Sequence, residues 1–176
     1  MSSTKILIVV DMQNDFIYGN LGSEAARNIV PKVADKIESN KDNIIFFTRD
    51  THRFNYLSTL EGQKFPVKHC LRESAGWCIV DELLPYTSGR KIIDKYTFAF
   101  DEWDKYITSS RISEWEIELC GVCTDICLIS NALTLRMLFP DTKITVDAKC
   151  CAGTDEVNHK AALQVMKSCL IDVIDE

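Results

Sequence analysis

The sequence predicts an α/β fold: a three-layer, doubly wound sheet that is mostly parallel, with helices on both faces. Short apolar runs rich in β-branched residues alternate with longer segments of helical periodicity. The first run, Ile6 to Val10, is almost continuously aliphatic, which is typical of a strand buried on both faces of a parallel sheet. Such alternation over 176 residues predicts one domain, residues 1–176, with right-handed crossovers.

Each element follows from its local pattern. The predicted strands are Lys5–Val10, Asn43–Thr48, Lys91–Ile93, Glu116–Val122, Lys143–Asp147 and Ile171–Ile174. The predicted helices are Glu24–Ser39, Glu102–Ser109, Asp125–Leu138 and Asp155–Ser168. In the first helix Ala25, Ile29, Val33 and Ile37 recur at helical spacing, and Ser23 is the predicted N-cap. Thr154 is the predicted N-cap of the last helix.

The segment at about residues 53–86 interrupts this alternation. It is long and has little periodicity, so it is predicted to be a loop-rich excursion from the sheet. Long excursions within compact domains tend to carry function.

Composition narrows the classes of partner. The formal charge of −6 and the pI near 5.1 argue against a nucleic-acid partner or an anionic membrane surface. No apolar run reaches the roughly 20 residues that a membrane span needs. The first residues lead almost directly into the apolar strand and lack the layout of a signal peptide. The expected location is therefore cytoplasmic.

The chain has eight cysteines, which are expected to be reduced thiols rather than a disulfide framework. A zinc site built from Cys120, Cys123 and Cys127 is disfavoured, because structural zinc usually takes two paired clusters separated by a loop. A thiol-rich redox or metal-binding protein that uses Cys120, Cys123, Cys150 and Cys151 is the non-enzymatic alternative.

The segment Gly121 to Cys127 joins a predicted strand to a predicted helix. Unpaired backbone N–H groups and the positive helix end at such a turn favour a thiolate, so Cys127 is the candidate nucleophile. Backbone N–H groups of the 123–127 turn are placed to hold an oxyanion.

Parallel packing should bring other reactive groups to the same edge of the sheet. Asp11 follows the first strand, Asp50 and His52 the second, and Lys95 the third. Asp11 could accept the thiol proton, while the Lys95 cation would favour both the thiolate and the ionised carboxylate. Taken singly, Asp11 is typical of a turn, Lys95 of a solvated surface and Cys127 of a small core residue.

The sequences of these segments resemble those of the cysteine hydrolases of the isochorismatase-like superfamily, especially nicotinamidases and pyrazinamidases. Asp11-x-Gln13-Asn14-Asp15-Phe16 resembles the opening motif, Lys95 matches the catalytic lysine, and Gly121-Val122-Cys123-Thr124-Asp125-x-Cys127 resembles the nucleophile segment. The resemblance implies that Asp11 is the acid/base, Cys127 the nucleophile and Phe16 a pocket wall. It also implies a cis peptide between Val122 and Cys123, and an oxyanion hole formed by the Cys123 and Cys127 N–H groups.

The resemblance further implies a divalent cation, either zinc, manganese or iron. Its ligands would be Asp50, His52 and His69, with Glu61 a candidate fourth. The family's Trp-Pro-x-His becomes Phe65-Pro66-Val67-Lys68-His69, which is one residue longer and lacks the tryptophan. Phe65 would then be an aromatic pocket wall.

The expected function is that of a hydrolase acting on carbon–nitrogen bonds other than peptide bonds. The best candidate substrate is nicotinamide, which would be converted to nicotinate and ammonia through a Cys127 thioester. A related hydrolase of a small carbamoyl, ureido or linear amide is the alternative. The resemblance also implies a homo-oligomer, in which Trp77, Trp103 and Trp115 could serve at an interface or equally in the core.

Overall fold

The computed structural model describes residues 4–108 and 115–176. Its sheet contains β1 (Thr4–Val10), β2 (Ile44–Asp50), β3 (Lys91–Lys95), β4 (Trp115–Val122), β5 (Lys143–Ala152) and β6 (Asp172–Ile174). The order is β3-β2-β1-β4-β5-β6, and every neighbouring pair is parallel. The predicted parallel α/β fold is confirmed.

Within the described residues, five α-helices lie between the strands: α1 (Asn14–Ile17), α2 (Glu24–Ser39), α3 (Leu60–Lys64), α4 (Ile129–Leu138) and α5 (Glu156–Ser168). The chain moves outward from β1 to β3 in one direction and from β4 to β6 in the other. Because crossovers between parallel strands are almost always right-handed, moving outward in opposite directions puts helices on both faces, which produces the three layers.

The core lies around β1, whose residues Ile6 to Val10 are at most 1% exposed. Helix α2 begins at its predicted cap, because Ser23 Oγ accepts a hydrogen bond of 3.0 Å from the Ala26 N–H. Its buried stripe includes Ala26 instead of the predicted Ala25. Lys36 of α2 reaches the sheet, with its Nζ 2.6 Å from Glu118 and 2.7 Å from Asp147.

The predicted helix Glu102–Ser109 is wrong over the described residues. Only the short 3₁₀ turn Trp103–Lys105 forms there, and Ser109 lies outside the described part of the chain. The reason is tertiary: the Trp103 side chain is fully buried, with its ring 5.8 Å from Phe46 and 5.2 Å from Phe100. Burial of this large aromatic side chain fixes the segment more strongly than helical propensity does.

Four predicted element boundaries near the site differ from the structure. Strands β2 and β3 extend to Asp50 and Lys95, which pair with each other across the two strands. The helix predicted from Asp125 begins as a π-helical turn, Thr124–Leu128, before α4. The N-cap of α5 is Asp155 rather than Thr154, since the Asp155 carboxylate accepts the Asn158 N–H at 2.7 Å.

The excursion at residues 53–86 contains α3 and three 3₁₀ turns, Tyr56–Ser58, Ala75–Trp77 and Leu84–Thr87. Isolated bridges tie it to the rest of the molecule, where Gln13 pairs with Ile79 and His52 with Leu71. Among the described residues, no helix combines the length and apolar character that crossing a membrane requires.

Candidate active site

The site lies where the sheet reverses its order, between the carboxyl ends of β1 and β4. Val10 pairs with Gly121 at this point. Gly121 has φ +118°, and a Cβ there would lie 2.1 Å from the Val10 carbonyl oxygen, so only glycine fits. The peptide between Val122 and Cys123 that follows is cis.

Asp11, Lys95 and Cys127 meet at this point, although they come from three separate strand ends. Lys95 Nζ lies 2.6 Å from Asp11 Oδ2 and 3.4 Å from Cys127 Sγ. Thr48 Oγ1 donates to the other Asp11 oxygen at 2.7 Å. Asp11 and Lys95 are almost completely buried, and Cys127 is 4% exposed. The parallel register therefore assembles a carboxylate, an ammonium and a thiol in a buried setting.

Burial decides the protonation of these groups. It raises the pKa of the Cys127 thiol well above its ordinary value, and the Lys95 cation opposes this shift without outweighing it. Burial likewise raises the pKa of Asp11, against the opposing charge of Lys95. The thiolate expected from the strand-to-helix turn is therefore not favoured in the free protein. A base has to take the proton when the thiol attacks.

Cys123 occupies a different position from Cys127. It precedes the π-helical turn, whereas Cys127 lies within it. Burial raises the pKa of the Cys123 thiol to about 12. The contact with Lys95 distinguishes Cys127 as the thiol that lies beside the buried cation.

Asp50, His52 and His69 bring one ligand atom each to a common point. Their ligand atoms lie within 4.8 Å of one another, and all three residues are buried. The Nε2 atoms of the two histidines are 3.2 Å apart, and Asp50 Oδ2 lies 2.7 Å from one and 3.5 Å from the other. Glu61 Oε1, on α3, is 3.6 and 3.7 Å from the same two nitrogens.

This trio fits a divalent cation in its chemistry as well as its spacing. His69 Nδ1 lies 2.7 Å from the Val67 carbonyl oxygen, so it carries the proton and leaves Nε2 as a lone-pair donor toward the trio. Burial opposes ionisation of Asp50, but the polar contacts with His52 and His69 and the positive charge of Lys95 outweigh it and lower the pKa of Asp50. An anionic carboxylate and two imidazole nitrogens form a borderline ligand set that suits zinc and similar metals.

A cavity of about 510 Å³ connects the two groups of residues. Cys123 and Cys127 line it together with Asp50, Glu61 and His69. Both aromatic residues predicted as pocket walls, Phe16 and Phe65, also line it. Their rings lie 5.6 and 6.1 Å from the ring of His69. The volume is within the range of small-molecule sites.

Gln13 is a buried residue of the site for which no separate role was predicted. Its side-chain amide accepts the Asp50 N–H at 2.7 Å and donates to the carbonyls of Asp50 and Trp77 at 2.9 Å each. The Gln13 side chain thus fixes the end of β2, which carries Asp50. Its place within the Asp11–Phe16 motif was the only sequence signal for it.

Tyr56 is a second residue that the sequence did not point to. Its ring lies 4.7 Å from His52 and 5.2 Å from His69, and its hydroxyl donates to the Phe65 carbonyl at 2.8 Å. Tyr56 therefore packs against both histidines. It lies in the segment with the least periodicity, where no local pattern marks it.

The cysteine-based metal hypothesis finds no support in this geometry. In residues 4–108 and 115–176, the group of three or more side chains able to hold a metal ion contains no cysteine. Cys120, Cys150 and Cys151 are buried in β4 and β5, and none of the eight cysteines forms a disulfide.

The chain is similar to known proteins over nearly its whole length. The Isochorismatase domain family matches residues 5–176. The nicotinamidase of Saccharomyces cerevisiae is 26% identical over 219 residues, covering 98% of this chain and 100% of that protein. The nicotinamidase of Schizosaccharomyces pombe is 24% identical over 213 residues, covering 100% of this chain and 95% of that protein.

A solved structure shares the fold over nearly the whole chain. The pyrazinamidase of Pyrococcus horikoshii, solved in complex with zinc, superposes with a TM-score of 0.84 at 27% identity and covers 98% of this chain and 99% of its own. The family match and the two relatives confirm the prediction of a hydrolase acting on carbon–nitrogen bonds other than peptide bonds. The match over residues 5–176 establishes that the chain belongs to the isochorismatase family.

Proposed function

We propose that this protein is a cysteine amidohydrolase that converts nicotinamide to nicotinate and ammonia. The observation that carries the proposal is the position of Lys95 Nζ, which lies 2.6 Å from the Asp11 carboxylate and 3.4 Å from the Cys127 thiol. The nicotinamidase relatives and the zinc-bound pyrazinamidase neighbour support a pyridine-type carboxamide as the substrate.

Attack begins with removal of the thiol proton. Asp11 Oδ2 lies 2.6 Å from the Lys95 ammonium, and a carboxylate oxygen with one such partner keeps a second lone pair. This oxygen therefore has lone-pair capacity to take the Cys127 proton, and the raised pKa of Asp11 strengthens it as a base. Because Lys95 remains charged, it stabilises the sulfur anion as the proton leaves.

The Cys127 sulfur then forms a bond to the amide carbon. The carbonyl oxygen becomes an oxyanion, which the backbone N–H groups of Cys123 and Cys127 are assigned to hold. As the C–N bond breaks, protonated Asp11 returns its proton to the nitrogen, and ammonia leaves. The nicotinoyl group stays on Cys127 as a thioester. Asp11 next takes a proton from water, and the hydroxide adds to the thioester carbon. The C–S bond breaks, Asp11 returns this proton to the sulfur, and the carboxylic acid product leaves as nicotinate after losing its own proton to solvent.

Asp50, His52 and His69 would hold a divalent cation, and Glu61 lies within reach as a fourth ligand. A bound cation supplies a Lewis acid that can hold the pyridine nitrogen of the substrate. His69 and Asp50 face the same cavity as Cys127, so this anchor would orient the ring relative to the thiol. The set also favours nicotinamide over a linear carbamoyl or ureido amide, which has no ring nitrogen to anchor.

The test is ammonia release from nicotinamide by the zinc-loaded protein and by Cys127→Ala. The variant should lose at least about 10³-fold in kcat/KM while it retains its thermal unfolding temperature. Cys78→Ala is the matched control, since Cys78 is an exposed thiol and should leave turnover unchanged. Turnover retained in Cys127→Ala would rule out the thioester route. A preference for a linear amide in the wild type would instead point to the alternative substrate.

A further inference from the structure

Asn131 is a fully buried polar residue that the chemical steps above do not use. It lies on α4, one helical turn after Cys127. Its Oδ1 accepts the Phe100 N–H at 3.0 Å and the Trp103 Nε1–H at 3.1 Å. Its Nδ2 donates to the Cys127 carbonyl at 2.8 Å and to the Phe98 carbonyl at 3.2 Å.

These four contacts fix which way the amide of Asn131 faces. Two N–H donors surround one end and two carbonyl acceptors surround the other, so an inverted amide would pair donors with donors. The side chain therefore links the turn that carries Cys127 to the segment Phe98–Trp103. Without it, two N–H donors would lose a partner.

The linked segment forms part of the cavity. Phe98 lines the same cavity as Cys127, and the residue is 46% exposed, so packing holds it less firmly than it holds a core residue. The residues between β3 and the Trp103 turn have no helical or strand structure. On the β3 side, Lys95 Nζ donates to the Thr97 carbonyl at 3.3 Å. Asn131 supplies the hydrogen bonds at Phe98 and Phe100, on the far side of the segment.

We propose that Asn131 is a positioning residue that sets the efficiency of amide hydrolysis by holding the Phe98 wall of the cavity in place relative to Cys127. The inference rests on the proposed function for its kinetic consequence, whereas the tether itself can be measured without substrate. Phe98 contacts the space that the substrate would fill, and Asn131 acts through it.

The decisive variant is Asn131→Asp, which keeps the shape and the Oδ1 acceptor. It replaces the Nδ2 donor with an oxygen that faces the Cys127 and Phe98 carbonyls. Hydrogen exchange of the Phe98–Trp103 backbone should become at least about tenfold faster, because the segment opens more readily. Asn28→Asp makes the same chemical change at an exposed position of α2 and should leave this exchange unchanged.

A double-mutant cycle with Phe98→Ala tests whether Asn131 acts through the wall. We expect about a tenfold loss of kcat/KM for nicotinamide in each single variant. In the double variant we expect a loss well below the hundredfold product, because residues that share one function are not additive. A general weakening of the fold would instead give the full product. If Asn131→Asp does not fold, Asn131→Ser, which introduces no charge, replaces it in both measurements.

The outcomes separate the two proposals. Unchanged exchange in Asn131→Asp overturns the tether, even if the enzyme is active. Faster exchange with a multiplicative cycle overturns the action through Phe98. A wild-type protein that releases no ammonia from any amide overturns the proposed function and the kinetic role of Asn131 together, while the exchange measurement still decides whether the tether exists.

Discussion

At the scale of single residues, one ammonium group organises the site. Lys95 Nζ contacts the Asp11 carboxylate, the Cys127 thiol and, at 3.5 Å, the Asp50 carboxylate. Burial alone would lower the pKa of Lys95, but the neighbouring carboxylate of Asp11 raises it, so the group stays charged. One cation shared among these neighbours cannot also keep Cys127 ionised against burial. The thiol therefore keeps its proton until a base removes it during attack on the substrate.

Alkylation of Cys127 should therefore depend steeply on pH. Since burial places the pKa of this thiol well above its ordinary value, the thiolate fraction in the free protein should rise about tenfold per pH unit between pH 6 and 9. The rate of iodoacetamide labelling of the Cys127 peptide, followed by mass spectrometry, should rise with it. The exposed Cys78 in the same sample serves as the control for the reagent. A rate that is flat with pH would show a pre-formed thiolate and contradict this account.

At the scale of elements, the segment after β1 does more than supply Asp11. Gln13 holds both backbone groups of Asp50, and Asn14 Nδ2 donates to the Ala75 carbonyl at 2.9 Å. Asp15 Oδ2 accepts the Cys70 N–H at 2.7 Å, immediately beside His69. This one segment therefore orients residues from both chain regions that supply the trio of metal-binding side chains.

Removing the Gln13 amide should weaken metal binding. In Gln13→Leu the Asp50 backbone loses two hydrogen bonds of 2.7 and 2.9 Å, so the carboxylate is less well oriented. Loss of such supporting contacts typically costs about 10–100-fold in metal affinity. Zinc affinity measured by chelator competition should fall by that factor. Gln164→Leu, at an exposed position of α5, is the matched control. Equal affinities in the two variants would remove Gln13 from this role.

At the scale of the whole molecule, the trio connects regions that are distant along the chain. Asp50 ends β2, and His69 lies in the excursion, 17 residues beyond His52. The unfolded chain has no reason to hold these groups together. A cation that binds the folded trio therefore stabilises the entire fold by mass action.

Zinc should accordingly raise the unfolding temperature. At about 100 times the dissociation constant the stabilisation is about 2.7 kcal/mol, or about 5–10 °C for a chain of this size. His69→Ala should abolish the zinc-dependent shift measured by scanning calorimetry. His159→Ala is the matched control, because His159 lies outside the trio and contacts Thr124. A zinc shift that survives in His69→Ala would place the binding elsewhere.

Much of the fold and several of the reactive groups could be predicted because both depend on local patterns. The aliphatic run from Ile6 to Val10 indicates a central parallel strand without reference to any other residue. Parallel topology then brings the strand ends together, which is why Asp11 and Lys95 could be placed beside Cys127 before their distances were known. Helix α2 was predictable for the same reason, since its apolar stripe and its Ser23 cap lie within one segment.

The sequence by itself determined the parallel α/β fold, and it supplied the candidate thiol, carboxylate and ammonium and three side chains that could bind a metal. Only the tertiary structure decided how they are held and charged. Gln13 meets Asp50 across 37 positions and Asn131 meets Phe100 across 31, so no local pattern could reveal either contact. Trp103 replaced a predicted helix because its burial outweighed propensity. Burial also reversed the expected ionisation of Cys127, because desolvation depends on everything packed around the thiol.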